Sequence, residues 1–335
     1  MSIAKSVARK VIFPFLVSSK LVKLLMFNEK YRTLIVMYHG VVPNVNFKYS
    51  ANHLSVESFE QQIKYIKNNF SVIKLKEAFS AYRAGDRPHE FSIVITFDDG
   101  YENNFKYAYP VLMKYNVPAT IFTVTAHLDD PRFVLWYDLV DFSRNVIPLS
   151  DFVEKINLLK GKKFADKIKT WNELKSMLKT FSKAEKEVVL KIEDSLLKKI
   201  LTNVPEAYYK LLNEQQMKTM SDSGLIEIGS HSHSHPNLDV IRAEDARVEL
   251  ESSKLKLENI TSQKAEAVAF PDGAYSVDIK EMALQAGFKN LLAVDFKLNV
   301  DPNDKNILPR YCVSNTTTAE SNIVQIYNAF KKKGF

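Results

Sequence analysis

Two groups of chemically active side chains stand out in the 335-residue chain. One is the pair Asp98 and Asp99, where the apolar run FSIVITFDDG stops abruptly before Gly100. The other is IGSHSHSHPNL, Ile228 to Leu238, with histidines 231, 233 and 235 at alternate positions and Pro236 directly after. Adjacent carboxylates at a buried strand tip repel one another and are costly to desolvate, so something positive must compensate them. Either group alone has a plain explanation: a turn with a helix-capping aspartate, or surface histidines with no ion. Together they describe a site.

Fully extended, residues 231 and 235 would lie about 13 Å apart at Cα, too far to share an ion, so the segment must curl for both to ligate. In one helical turn, positions i and i+4 face the same side with Cβ atoms about 6 Å apart, making His231 and His235 the pair and His233 a neighbour. A strand continuing through the segment would pair His231 with His233 instead. One carboxylate and two imidazoles form a mixed oxygen and nitrogen set for a divalent ion with open positions for water and substrate. The second carboxylate is then available as a base toward an acidified water. That is a hydrolase constellation.

From Tyr31 the chain alternates between strand and helix patterns. TLIVMYH, FSVIKL, FSIVITF and PATIFTV are short apolar runs, separated by helical stretches such as SVESFEQQIKYIKNN and KEAFSAYRAG. This alternation predicts a parallel sheet covered by helices, with functional residues at the carboxyl ends of the strands. Between about residues 131 and 216 the sequence becomes Lys-rich and helical, which reads as an insertion. The strand pattern resumes with LIEIGSH, EAVAFPDGAYS, KNLLAVD and NILPRYCVS.

Composition narrows the class. With 46% hydrophobic and 25% charged residues the chain reads as globular. The single cysteine, Cys312, permits no internal disulfide. A net charge of +7, spread among helices that also carry acids, does not point to nucleic acid. At the N-terminus, Ile3, Ala4, Val7, Ala8, Val11 and Ile12 recur at helical spacing, with Lys5, Arg9 and Lys10 off that stripe. Residues 1–30 therefore read as an amphipathic segment, lying on a membrane surface through residues 3–27 or packed on the body of the protein. No signal-peptide pattern is evident, so the expected location is cytoplasmic or peripheral to a membrane.

TFDDG with HSHSHPNL resembles the first two motifs of the polysaccharide deacetylase family, the NodB-homology carbohydrate esterases. The resemblance spans roughly residues 33–314 except the insertion. It implies an α/β fold, a distorted (β/α) barrel over 31–335, and metal-dependent removal of N- or O-acyl groups from sugars. It further implies Asp98 as catalytic base, Asp99, His231 and His235 as ligands, and one divalent ion, zinc with cobalt or nickel as alternatives. The substrate class is an acylated carbohydrate or lipid-linked sugar. A hydrolase of a small non-sugar amide and an inactive sugar-binding module are the alternatives.

The third motif departs from the family pattern. AFPDG keeps Pro271 and Gly273 but has Ala269 where an arginine is usual and Asp272 where an aromatic is usual. The Asp272 backbone N–H can still stabilise an oxyanion. Arg310 is a candidate for the missing arginine, or simply a surface residue. No histidine follows His235, so the family's usual acid is absent and His39, closing the first strand in LIVMYHG, becomes the candidate. Tyr101, Tyr137 and Tyr275 are candidates to line a glycan groove.

Overall fold

TLIVMY forms strand β1 (Thr33–Tyr38), buried at every residue, as expected for a strand covered on both faces. In the computed structural model, which describes residues 12–19, 21–25, 27–49, 52–86, 89–314 and 318–335, it is preceded by two short helices, α1 (Phe13–Ser18) and α2 (Leu21–Leu25). Val17 and Val22 of these helices are buried in the main core, whereas Phe15, Leu24 and Leu25 face solvent. The stripe from Ile3 to Val11 lies outside the described residues. Among the described residues, no helix is long and apolar enough to cross a membrane.

Next come β2 (Gly40–Val42), β3 (His53–Ser55), α3 (Val56–Asn69), β4 (Ser71–Val72), α4 (Leu75–Ala84) and β5 (Ser92–Phe97). Ser55 caps α3 by accepting from the Ser58 N–H at 3.1 Å, and Gly85 ends α4 in the left-handed conformation. The chain continues through α5 (Tyr109–Tyr115) and β6 (Ala119–Thr123).

Six of the helices that follow before the sheet resumes form one group: α6 (Trp136–Ser143), α7 (Leu149–Lys160), α8 (Lys162–Ala165), α9 (Trp171–Leu178), α10 (Lys183–Leu190) and α11 (Asp194–Thr202). They enclose a core of their own, with Val140, Phe152, Ile156, Leu174, Phe181 and Val189 at its centre. Helix α12 (Glu214–Asp222) instead buries Met217 and Met220 in the main core. The remaining elements are β7 (Ile226–Ser230), α13 (Ala243–Thr261), β8 (Ala267–Ala269), α14 (Val277–Gln285), β9 (Asn290–Ala293), β10 (Ile307–Pro309), β11 (Tyr311–Cys312) and α15 (Ala319–Lys333).

The main sheet is parallel throughout, in the order β10-β9-β8-β7-β6-β5-β1-β11, with β4 also on β5. Only Arg310 separates β10 from β11, yet these strands occupy opposite ends of that order. The two edges must therefore adjoin, and the sheet curls into a distorted barrel. Its interior holds Ile35, Val94, Phe122, Ala267, Leu292 and Leu308, capped by Leu75 and Phe79 of α4. Gly229 makes room for Phe122, since a Cβ there would come within 2.5 Å of the ring. Burying such a ring contributes about 1.5–3 kcal/mol.

Register sets the functional end. Tyr38 pairs with Phe97, Thr123 with Ser230, and Ser230 with Val268. The residues that follow these strands, His39, Asp98, His231 and Phe270, thus emerge at one mouth.

Candidate active site

Asp98 extends the ladder by one step, its N–H donating to the Tyr38 carbonyl at 3.0 Å. Asp99 and Gly100 then adopt φ of 74° and 72°, turning the chain off the strand. Glycine is required at 100: a Cβ there would meet Thr123 Oγ1 at 2.1 Å and the Thr123 Cα at 2.9 Å.

Across the barrel, the His231 N–H donates to the Thr123 carbonyl at 3.0 Å before the chain curls. The curl is not a helical turn. Ser232 and His235 have φ of 63° and 61°, and Ser232 Oγ accepts from the His235 N–H at 3.1 Å. This turn brings the rings of His231 and His235 to 4.8 Å between centroids. His233 faces elsewhere, with Nδ1 at 2.8 Å from Thr125 Oγ1. Glu249 of α13 pins the turn, accepting from Ser234 N–H and Oγ, each at 2.6 Å.

Asp99, His231 and His235 offer one ligand atom each, all within 4.8 Å of one another and all buried. Asp99 Oδ1 lies 3.6 Å from His231 Nε2 and 3.5 Å from His235 Nε2. His231 Nδ1 is 2.8 Å from the Ala269 carbonyl, which can only accept, so Nδ1 carries the proton and Nε2 presents a lone pair. Asp99 Oδ2 and His235 Nδ1 are buried without a hydrogen-bond partner. A buried carboxylate facing two imidazole nitrogens, with orphaned polar atoms, fits a divalent cation such as zinc.

Arg310 is fully buried, and its guanidinium donates to both oxygens of Asp98 at 2.6 and 2.7 Å. Of the two readings of Arg310, the surface one is excluded. Burial alone would raise the Asp98 pKa, but the Arg310 and His231 charges and the Arg310 hydrogen bonds bring it down to about 2. Asp99 goes the other way. Burial, then the neighbouring Asp98 charge, pushes it up to about 6. Burial, then His231, brings His235 down to about 3, leaving its imidazole neutral.

A cavity of about 560 Å³ opens over these groups, lined by His39, Asp98, Asp99, His231, His235 and Asp272 among others. Asp272 has φ of 53°, and its carboxylate accepts from Lys179 Nζ at 2.6 Å and Asn237 Nδ2 at 3.2 Å. Lys175, Lys179 and Tyr137 come to the same wall from the helical segment. Tyr137 lays its ring 5.1 Å from that of His235. Tyr101 is buried and donates to Asp138 at 2.8 Å. Tyr275 is occupied by Asp301 at 2.6 Å, so of the three groove candidates only Tyr137 lines this cavity.

Residues 85–291 match the family Polysaccharide deacetylase. The Bacillus subtilis (strain 168) protein YxkH, whose name gives it as a polysaccharide deacetylase, is 24% identical over 258 residues, 76% of this chain and 62% of the relative. A poly-β-1,6-N-acetyl-D-glucosamine N-deacetylase of Staphylococcus aureus is 35% identical over 80 residues, 24% of this chain and 28% of the relative. The chain thus spans less than two thirds of the length of these curated relatives. Among solved structures, the Streptococcus pyogenes deacetylase PplD, in complex with acetate, has a TM-score of 0.57 at 17% identity, with 89% of this chain and 99% of that one covered. A de-N-acetylase from Aggregatibacter actinomycetemcomitans has a TM-score of 0.58 at 18% identity, covering 88% and 99%. With more than half its length matched, this chain belongs to the polysaccharide deacetylase family.

Proposed function

We propose that the protein is a metal-dependent deacetylase that removes N-acetyl, or other acyl, groups from a sugar, polysaccharide or glycolipid. The observation that carries this reading is the buried set Asp99, His231 and His235 beside a second aspartate, Asp98, held by Arg310. Binding a sugar needs no such base. The S. aureus relative acts, by its name, on poly-N-acetylglucosamine, which supports an amide substrate.

Asp99, His231 and His235 would hold the ion, which when bound supplies Lewis acidity toward the acyl carbonyl and acidifies water. Asp98 takes the proton of the attacking water on a carboxylate oxygen, while Arg310 fixes both of its oxygens in orientation. The Asp272 N–H, beside the mouth, donates to the carbonyl oxygen as it becomes an oxyanion. His39, which lines the same cavity, protonates the departing nitrogen. Collapse of the tetrahedral adduct then breaks the C–N bond, giving acetate and a free amine. Acetate release from N-acetylglucosamine oligomers and from lipid-linked N-acetyl sugars tests the reading. Stoichiometric acetate and amine are expected, and no release from any acylated sugar would contradict it.

A further inference from the structure

A second and larger cavity, about 970 Å³, adjoins the metal pocket, and Trp136 and His235 line both. Its walls come from helices α10 and α11 on one side and from Phe133, Val134 and Pro236 on the other. Within this wall Lys186 is only 6% exposed. Its Nζ donates to Asn237 Oδ1 at 3.2 Å and lies 4.8 Å from the centre of the Trp136 ring. Among the described residues, no carboxylate comes within ion-pair distance of it.

The other charges of the wall are accounted for. Arg132 pairs with Asp130 and Asp194, Lys183 with Glu249, and Asp129 with Lys256. Glu187, Lys191 and Glu193 stand exposed at the rim. An ammonium carries three donors, and burying its charge against one neutral amide and a ring face is costly unless an anion completes the pairing. Burial brings Lys186 down to about 8. Asn237 in turn donates to Asp272, so this ammonium stands one side chain away from the pocket over the metal ligands.

We propose that this cavity is an anion subsite, in which Lys186 receives a phosphate or carboxylate carried by the acylated sugar that occupies the metal pocket. The assignment rests on the deacetylase reading for what occupies that pocket. The apolar floor of Leu139, Leu190 and Pro236, together with the Trp136 ring, suits the non-polar faces of a sugar or its aglycone next to the charge.

The test uses zinc-loaded full-length protein and three probes: N-acetylglucosamine 1-phosphate, N-acetylmuramic acid and the neutral methyl N-acetylglucosaminide. Binding is followed by calorimetry and by tryptophan fluorescence. The parent should bind at least one charged sugar about tenfold more tightly than the neutral one. The first two probes distinguish phosphate from carboxylate. Lys186→Met should remove the preference and leave neutral-sugar binding and the melting temperature unchanged. Lys186→Gln, which keeps a polar contact to Asn237, should do the same and guards against a folding defect in the first variant. Equal affinity of the parent for charged and neutral sugars would overturn the assignment. So would a preference that survives both substitutions, which would place the anion on the metal. Failure of every probe to release acetate would count against the deacetylase reading alone, because binding is measured separately.

Discussion

The barrel and the helical segment between Trp136 and Thr202 contribute differently to one pocket. The barrel supplies the groups on which the proposed chemistry rests, each at or just beyond a strand end: His39, Asp98, Asp99, His231 and His235. The helical segment supplies the surroundings: Tyr137 against His235, Lys179 on Asp272, and Lys186 in the adjoining cavity. The parallel ladder fixes strand tips relative to each other, so that end can hold catalytic groups in register. Helices packed around a separate core can change without disturbing that register. Bond breaking should therefore depend on the barrel and substrate choice on the helices.

The largest effect should come from Asp98→Asn. Loss of the base should cost about 10² to 10⁴ in kcat on every acyl substrate, with metal content equal to the parent's. Metal analysis beside steady-state kinetics checks both halves. His39→Ala should lose a similar factor on N-acetyl sugars but much less on a nitrophenyl acetate, whose leaving group needs no proton. Equal losses on both would make His39 a positioning residue.

Arg310→Met tests the electrostatics within the barrel. Asp98, held at about 2, contributes stability that is fully present above its ordinary carboxylate pKa and is lost as pH falls through about 2. Without the guanidinium the same carboxylate sits buried and unpaired, so its pKa rises. The acid limb of the kcat/KM profile should therefore move to higher pH, and stability near neutrality should fall by about 3–5 kcal/mol. An unmoved acid limb would mean that Arg310 does not set the ionisation of Asp98.

The smallest effect should come from the helical side. Tyr137→Phe removes a hydroxyl from the wall of this cavity but keeps the ring against His235, and should weaken zinc binding by about 10-fold at most while sparing the fold. Zinc affinity equal to the parent's would show that the helical segment does not reach the metal chemistry at all.

What could be read from the chain follows the same division. FSIVITFDDG and LIEIGSH show their strand ends because an apolar run stops at a charged or polar residue, a local signal. The proximity of His231 to His235 was legible as a requirement that the segment curl. The means was not: two left-handed residues and a serine hydroxyl, rather than a helical turn, close the distance. Arg310 stayed open between two readings because its partner, Asp98, is 212 residues away in sequence, and they meet only where the barrel edges join. Tyr137 and Lys186 lie on helices whose periodicity separates buried from exposed faces but does not say what the buried face meets. Burial in a second core and burial beside a reactive pocket leave the same pattern.

Metal dependence is tested by measuring bound zinc and acetate release together, in parent protein stripped with chelator and then titrated with zinc. One ion per chain should restore full release, with Asp99→Asn, His231→Ala and His235→Ala each losing both. Full acetate release from rigorously metal-free protein would contradict the account, as would zinc that is retained in Asp99→Asn but lost in Asp98→Asn.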